Sequence, residues 1–191
     1  MFLTSQHVVF GAGAREQDPV WLLGKGEGFP VRRFARSRNG RCGIVRYQGA
    51  DVHIDCATVE LYDQTMRQDL GVVEDCTNQK PTVKSGDRVT KIGAATGTTH
   101  GIVEDTAFSE IASVNGWWHE TIGQILVRPL APGDTFTADG DSGAALLNGN
   151  GFVVGLLWGA DARGYGLACP IAPVLRVLHV RLVRFQPEGG S

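Results

Sequence analysis

A lone serine, Ser142, stands inside Gly-Asp-Ser-Gly in the stretch "TADGDSGAALLNGNG", residues 137–151. A serine hydroxyl becomes nucleophilic at neutral pH only when a base takes its proton, so this chemistry needs a histidine and a group that orients it. The chain offers His7, His53, His100, His119 and His179. His179 falls in an apolar stretch with helical spacing, His119 beside Trp117 and Trp118 at an expected hairpin tip, and His100 in a Gly/Thr-rich turn. His7 is better placed, because it follows "FLTSQ", a strand ending in polar residues, and precedes Val8 and Val9, which can anchor the turn while the imidazole faces a cleft. Asp55 interrupts the strand-like stretch "HIDCATVEL". A carboxylate there is costly unless it is paired and hydrogen-bonded, and an imidazole N–H is a suitable partner.

The glycines beside the serine have their own chemistry. Gly140 can take a conformation that aims its backbone N–H, with that of Ser142, at one developing oxyanion, and Gly143 leaves room for a substrate backbone. Asp141 is bound to the serine in sequence and is not the orienting acid. We expect it to be buried and ion-paired so that it braces the loop, an arginine or backbone N–H groups serving as its partner. From these residues alone, Gly-Asp-Ser-Gly reads equally as a nucleophile loop or a structural turn. His7 reads also as part of a frayed terminus, and Asp55 as a strand-end aspartate facing water.

The elements that must position these groups are short strands. With 26 glycines and 8 prolines, the 191-residue chain reads as strands joined by tight turns. Residues 1–85 contain "FLTS", "PVWLLG", "PVRRFA", "CGIVRYQ", "IDCATVEL" and "LGVVED", one β lobe carrying His7 and Asp55. The polar break "TNQKPTVKSGD" separates them from residues 86–185, where "RVTKIGAA", "HGIVEDTA", "TIGQILVRPL", "GAALLN", "GFVVGLLW" and "GYGLACPI" form a second lobe carrying Ser142. Two Asn-Gly pairs, at 148–149 and 150–151, mark a hairpin. "IAPVLRVLHVRLV" spaces Ile171, Val174, Leu175, Leu178 and Leu182 as one amphipathic helix, and we expect residues 186–191 to be a flexible tail.

Composition bounds the partners. A formal net charge of −2 supplies no field that would gather nucleic acid or an anionic membrane. The local exception is "VRRFARSRNGRCGIVR", which crowds Arg32, Arg33, Arg36, Arg38, Arg41 and Arg46 together as a solvated edge or a docking patch for an acidic partner. Cys42, Cys56, Cys76 and Cys169 lack the paired spacing of a zinc site and read as reduced, mostly buried thiols. We expect no metal and no organic cofactor. No run approaches a membrane span, and "MFLTSQHVV" lacks a signal peptide's basic start and apolar length, so the expected compartment is the cytoplasm.

Taken together, these segments resemble the trypsin-like, chymotrypsin-fold serine peptidases. "LTSQHV" is similar to the Leu-Thr-x-x-His segment that carries the base, "IDCA" to the Asp-x-Ala segment that carries the acid, and "GDSG" to the nucleophile loop. The order His7, Asp55, Ser142 is the family's order, and the intervals of 48 and 87 residues compare with about 45 and about 93 in the family template. The resemblance also covers "VTKIGAATGTTHGIV" and "GFVVGLLWGADARGYGLACPI", in the strands of the second barrel and beside the specificity pocket.

The resemblance implies an all-β fold of two antiparallel barrels with the triad His7, Asp55 and Ser142 between them. Gly140 and Ser142 then form the oxyanion hole, while Phe136, Trp158, Ala160 and Gly166 surround a primary substrate pocket. Phe136 stands six positions before the serine, where relatives that cut after Lys or Arg carry an acid, so we expect a shallow uncharged pocket. Because only six residues precede His7, the first barrel should lack its N-terminal hairpin. Val8 replaces a cysteine common in secreted relatives, and Ala144 replaces the usual second glycine after the serine. The expected function is that of a serine endopeptidase. The competing readings are an inactive protease-like binding module, a protease domain cut from a longer protein, and an unrelated barrel in which "GDSG" is accidental.

Overall fold

The computed structural model describes residues 1–11, 13–22, 32–62, 82–114, 117–161 and 163–182. The strands β1 (Phe2–Thr4), β2 (Pro19–Leu22), β3 (Arg32–Tyr47) and β4 (Ala50–Leu61) form an open antiparallel sheet in the order β1-β4-β3-β2. The strands β5 (Arg88–Gly93), β6 (Gly97–Val114), β7 (Trp117–Pro129), β8 (Ala145–Asn148), β9 (Val153–Ala160) and β10 (Gly166–Pro170) close into a six-stranded barrel in the order β10-β7-β6-β5-β8-β9. Two short helices, α1 (Gln6–Phe10) and α2 (Ile171–Leu178), complete the described elements. The fold is therefore all-β, with one closed barrel and one half-barrel. The expected strand "LGVVED" and Cys76 lie outside the described residues.

Turn chemistry sets the register of the first lobe. Gln48 (φ 49°) and Gly49 (φ 87°) both take positive φ between Tyr47 and its cross-strand partner Ala50. That two-residue turn has the twist a hairpin needs, and it fixes Cys42 opposite Asp55. In the second lobe the hairpin between β8 and β9 uses the later Asn-Gly pair: Gly151 takes the positive φ of 79°, and the Asn148 carboxamide oxygen accepts the N–H groups of Asn150 and Phe152.

Three apolar clusters hold these elements. Val9, Ala35, Ala57, Val59 and Leu61 pack the first sheet against α1. Val89, Val103, Ile125, Val127, Phe136, Leu146, Val154 and Leu157 belong to a cluster that fills the closed barrel. The third joins the lobes, setting Val52, Ile54 and Cys56 of β4 against Val153, Leu156, Cys169 and the α2 residues Ile171, Val174 and Leu178. Burial at helical spacing explains why α2 docks here. It ends at Leu178, short of the Leu182 expected from sequence, because His179 takes a left-handed conformation (φ 54°, ψ 41°) and its N–H turns back to the Arg176 and Leu175 carbonyls.

Among the described residues Cys42, Cys56 and Cys169 are free thiols, Cys42 exposed and the other two buried. Burial, with the nearby Asp55 charge, pushes the Cys56 thiol up to about 12, and burial likewise raises Cys169 well above its ordinary value. Both thiols stay protonated and unreactive at neutral pH. No described helix is long and apolar enough to cross a membrane.

Candidate active site

His7 is held from two directions. β1 pairs with β4 in the register Leu3↔Thr58 and Thr4↔Ala57, which carries the chain past Asp55 before it turns into α1. The first N–H groups of a helix have no partner inside the helix. Ser5, at the N-cap, does not supply one, because its buried hydroxyl donates instead to the Leu157 carbonyl of β9 at 3.1 Å. Asp55 supplies it from β4: its Oδ1 accepts the backbone N–H groups of Gln6 and His7. Its Oδ2 lies 2.6 Å from His7 Nδ1.

One carboxylate thus caps the helix and orients the imidazole that the helix carries. A carboxylate can only accept at this contact, so Nδ1 bears a proton, and in the neutral imidazole Nε2 is the nitrogen that keeps its lone pair. The hydrogen bond to Asp55 raises the pKa of His7 above its ordinary value of 6.5, outweighing the opposite effect of partial burial, and the Asp55 charge adds to the rise. Asp55 is 4% exposed. Its own N–H donates to Cys169 Sγ at 3.2 Å, tying this part of β4 to the second lobe.

The serine loop is braced by a residue that sequence reasoning missed. Asp141 is 1% exposed and Lys91 of β5 is 0% exposed, with Nζ 2.9 Å from Asp141 Oδ2. The carboxylate also accepts the N–H groups of Ala95 (2.7 Å), Thr96 (3.1 Å) and Ala138 (3.1 Å) and the Thr96 hydroxyl (2.7 Å). Burial alone would raise this pKa, but Lys91, Thr96 and the backbone donors together hold Asp141 far below the usual carboxylate range. The cation is a lysine where sequence offered an arginine, and the backbone N–H groups also expected from sequence serve beside it. Its signal was present in "RVTKIG": Val89 and Lys91 share the inward face of β5, and a charge at an inward position requires a partner.

Gly140 and Gly143 take φ values of 99° and 91°, a region open to glycine and strained for other residues. Gly143 also meets Thr4 of β1, so a Cβ there would overlap the threonine side chain. Neither the Gly140 nor the Ser142 N–H donates to a described residue. The Ser142 hydroxyl donates to the Trp158 carbonyl at 3.1 Å, and not to His7. His7 and Asp55 are therefore joined directly, whereas the serine faces β9.

The remaining predicted residues cluster around β9 and β10. Ala160 and Gly166 are cross-strand partners. Phe136 is fully buried, its ring against the Cα of Gly166 so closely that a Cβ there would lie 2.7 Å from it. Trp158 donates its indole N–H to Gln124 Oε1 at 2.7 Å, and Gln124 Nε2 donates onward to the carbonyls of His53 (2.8 Å) and Ile122 (2.9 Å). The fully buried Gln124 thus links the tryptophan to β4 of the first lobe. Nothing local in "TIGQILV" signals this role, because the residues it joins are far away in sequence. Of the other histidines, His100 lies in strand β6 rather than a turn, with Nδ1 3.0 Å from the Thr90 hydroxyl. Among the described residues no group of three or more His, Cys, Asp or Glu side chains is placed to hold a metal ion.

The sequence matches the model of the trypsin-like peptidase domain over residues 1–156. The chain belongs to the trypsin-like peptidase family. Solved structures agree on the fold. Cellulomonas bogoriensis chymotrypsin is 19% identical with a TM-score of 0.55, over 96% of this chain and 85% of that one. A glutamic acid specific serine protease reaches a TM-score of 0.59 at 16% identity, over 95% and 85% of the two chains. The protease domain of MamO from Magnetospirillum magneticum gives 0.52 at 17% identity, over 92% and 81%. A comparison with curated proteins finds no match. The fold of a trypsin-like peptidase supports peptide or protein as the class of ligand.

Proposed function

We propose that this trypsin-like peptidase is an active serine endopeptidase working through an acyl-enzyme. Ser142 Oγ attacks the scissile carbonyl carbon while His7 Nε2 takes the hydroxyl proton. Asp55 keeps the proton on Nδ1 and stabilises the imidazolium that forms. The N–H groups of Gly140 and Ser142 stabilise the oxyanion of the tetrahedral intermediate. When the intermediate collapses, the C–N bond breaks and His7 returns its proton to the leaving amine. Water then attacks the ester, His7 again serving as base, and the acid product leaves Ser142 free.

The observation that carries this reading is the double use of the Asp55 carboxylate, which satisfies the helix N–H groups and the His7 imidazole together. A purely structural turn would need the first contact and not the second. For attack, the Ser142 side chain must leave the Trp158 carbonyl and turn toward His7, a rotation about one staggered bond of the kind that tightens on substrate binding.

A second reading, a protease-like binding module, is favoured by that same Ser142–Trp158 hydrogen bond, which leaves nucleophile and base unjoined. Incubation with a mixed peptide library separates the two. The enzyme predicts new amino termini that appear with the wild-type chain and not with Ser142→Ala. The binding module predicts an intact library in both samples.

We further propose that Trp158, Ala160 and Gly166, backed by Phe136, form the primary pocket. None carries a charge, and a Lys or Arg side chain buried among them would lack a counter-ion, at a cost of several kcal/mol. The pocket therefore favours small or apolar side chains.

A further inference from the structure

Four of the six arginines crowded between residues 32 and 46 face partners close at hand. Arg36 and Arg38 both reach Glu60, at 2.8 and 3.3 Å, and Arg46 reaches Asp51 at 3.0 Å. Arg33 lies over the Tyr62 ring, 5.3 Å from its centroid. The Arg32 side chain lies outside the described ones, and Arg41 has neither a carboxylate nor a ring to face among the described residues. The fold brings it a companion that sequence does not suggest. Arg176 of α2 borders the same cleft, 5.8 Å from the centroid of the Tyr47 ring, and it too has no carboxylate partner among the described residues.

Between β3 and α2 lies a cleft of about 500 Å³, lined by Arg41, Arg46, Arg176 and His179 together with the apolar side chains of Val45 and Val177. It contains none of the proposed catalytic residues. We propose that this cleft is a docking groove for an acidic peptide segment with alternating carboxylate and aliphatic side chains. Guanidinium groups recognise carboxylates through paired N–H donors, and two of them, Arg41 and Arg176, have no carboxylate partner among the described residues, Arg176 resting only against the Tyr47 ring. The two valines of the lining suit aliphatic side chains between the carboxylates, and a phosphodiester backbone has no use for them. The whole chain carries a formal charge of −2, so the positive sign is a local property of this cleft. The proposal does not depend on the peptidase reading, since the groove is separate from His7 and Ser142.

The test uses full-length Ser142→Ala protein, which leaves the probe uncut, and fluorescence anisotropy of a fluorescein-labelled octapeptide alternating Glu and Val. The same peptide with Gln for Glu is the neutral control. The acidic peptide should bind with an affinity that falls as salt is added, and the neutral one should not. Arg41→Glu/Arg176→Glu should weaken binding by about tenfold or more. Lys84→Glu/Arg88→Glu, an equal change of net charge elsewhere, should leave it unchanged, with thermal unfolding confirming that both variants fold. Equal binding of the two peptides, unchanged binding in Arg41→Glu/Arg176→Glu, or tighter binding of an oligothymidylate of matched charge would each overturn the proposal.

Discussion

At the scale of single residues, the account turns on His7 and Asp55. Asp55→Asn removes the acceptor that fixes the His7 tautomer, and kcat should fall by about 10⁴-fold, as in the family template, with KM little changed. The raised pKa of His7 sets the pH dependence. The base must be neutral, so kcat/KM should rise with pH to a plateau, with its midpoint above the ordinary value of 6.5. Stability runs the other way. A group whose folded pKa lies above its unfolded one stabilises the fold below the unfolded value and loses that contribution as pH rises through the folded value. The His7–Asp55 contact should therefore be strongest where activity is lowest, and His7→Gln should flatten both the rate profile and this part of the stability profile. A wild-type rate flat from acid to neutral pH would contradict the assignment of the base.

At the scale of elements, the serine loop depends on β5. Lys91→Met leaves the Asp141 carboxylate buried without its cation, and breaking such a pair costs about 3–5 kcal/mol, or a fall in Tm of roughly 10 °C in a chain of this size. Differential scanning calorimetry measures it, and a change under about 2 °C would show that the turn donors alone suffice to hold Asp141. Gly140→Ala tests the loop differently. Its nearest neighbour would be the Ala95 side chain at 3.5 Å, an ordinary contact, so the cost comes from the positive φ and should be about 1–2 kcal/mol. Strands, turns and motif order were legible in sequence because each is a local pattern. The Lys91 side chain was legible only as an anomaly, since its partner lies 50 residues further along the chain. The end of α2 was not legible, because the apolar spacing runs on past His179 while the backbone there turns left-handed.

At the scale of the whole molecule, the site belongs to neither lobe alone. Asp55 is tied through Cys169 to the barrel, Ser5 through Leu157, and β4 through Gln124 to Trp158. Every one of these links crosses between the lobes, which is why sequence could name the triad candidates and not what aligns them. The pocket prediction belongs here too: cleavage-site profiling should show small or apolar residues before the cut. A strong preference for Lys or Arg would mean that a distant acid reaches the pocket and that Phe136 does not back it. The central claim, that Ser142 is a nucleophile activated by His7, is tested most directly by intact-protein mass spectrometry after treatment with a fluorophosphonate at mildly alkaline pH. The account predicts one adduct on the wild-type chain, mapped by fragmentation to Ser142, none on Ser142→Ala, and a strongly slowed reaction on His7→Ala. A wild-type chain that takes up no probe while remaining folded, or labelling that persists in Ser142→Ala, would contradict it.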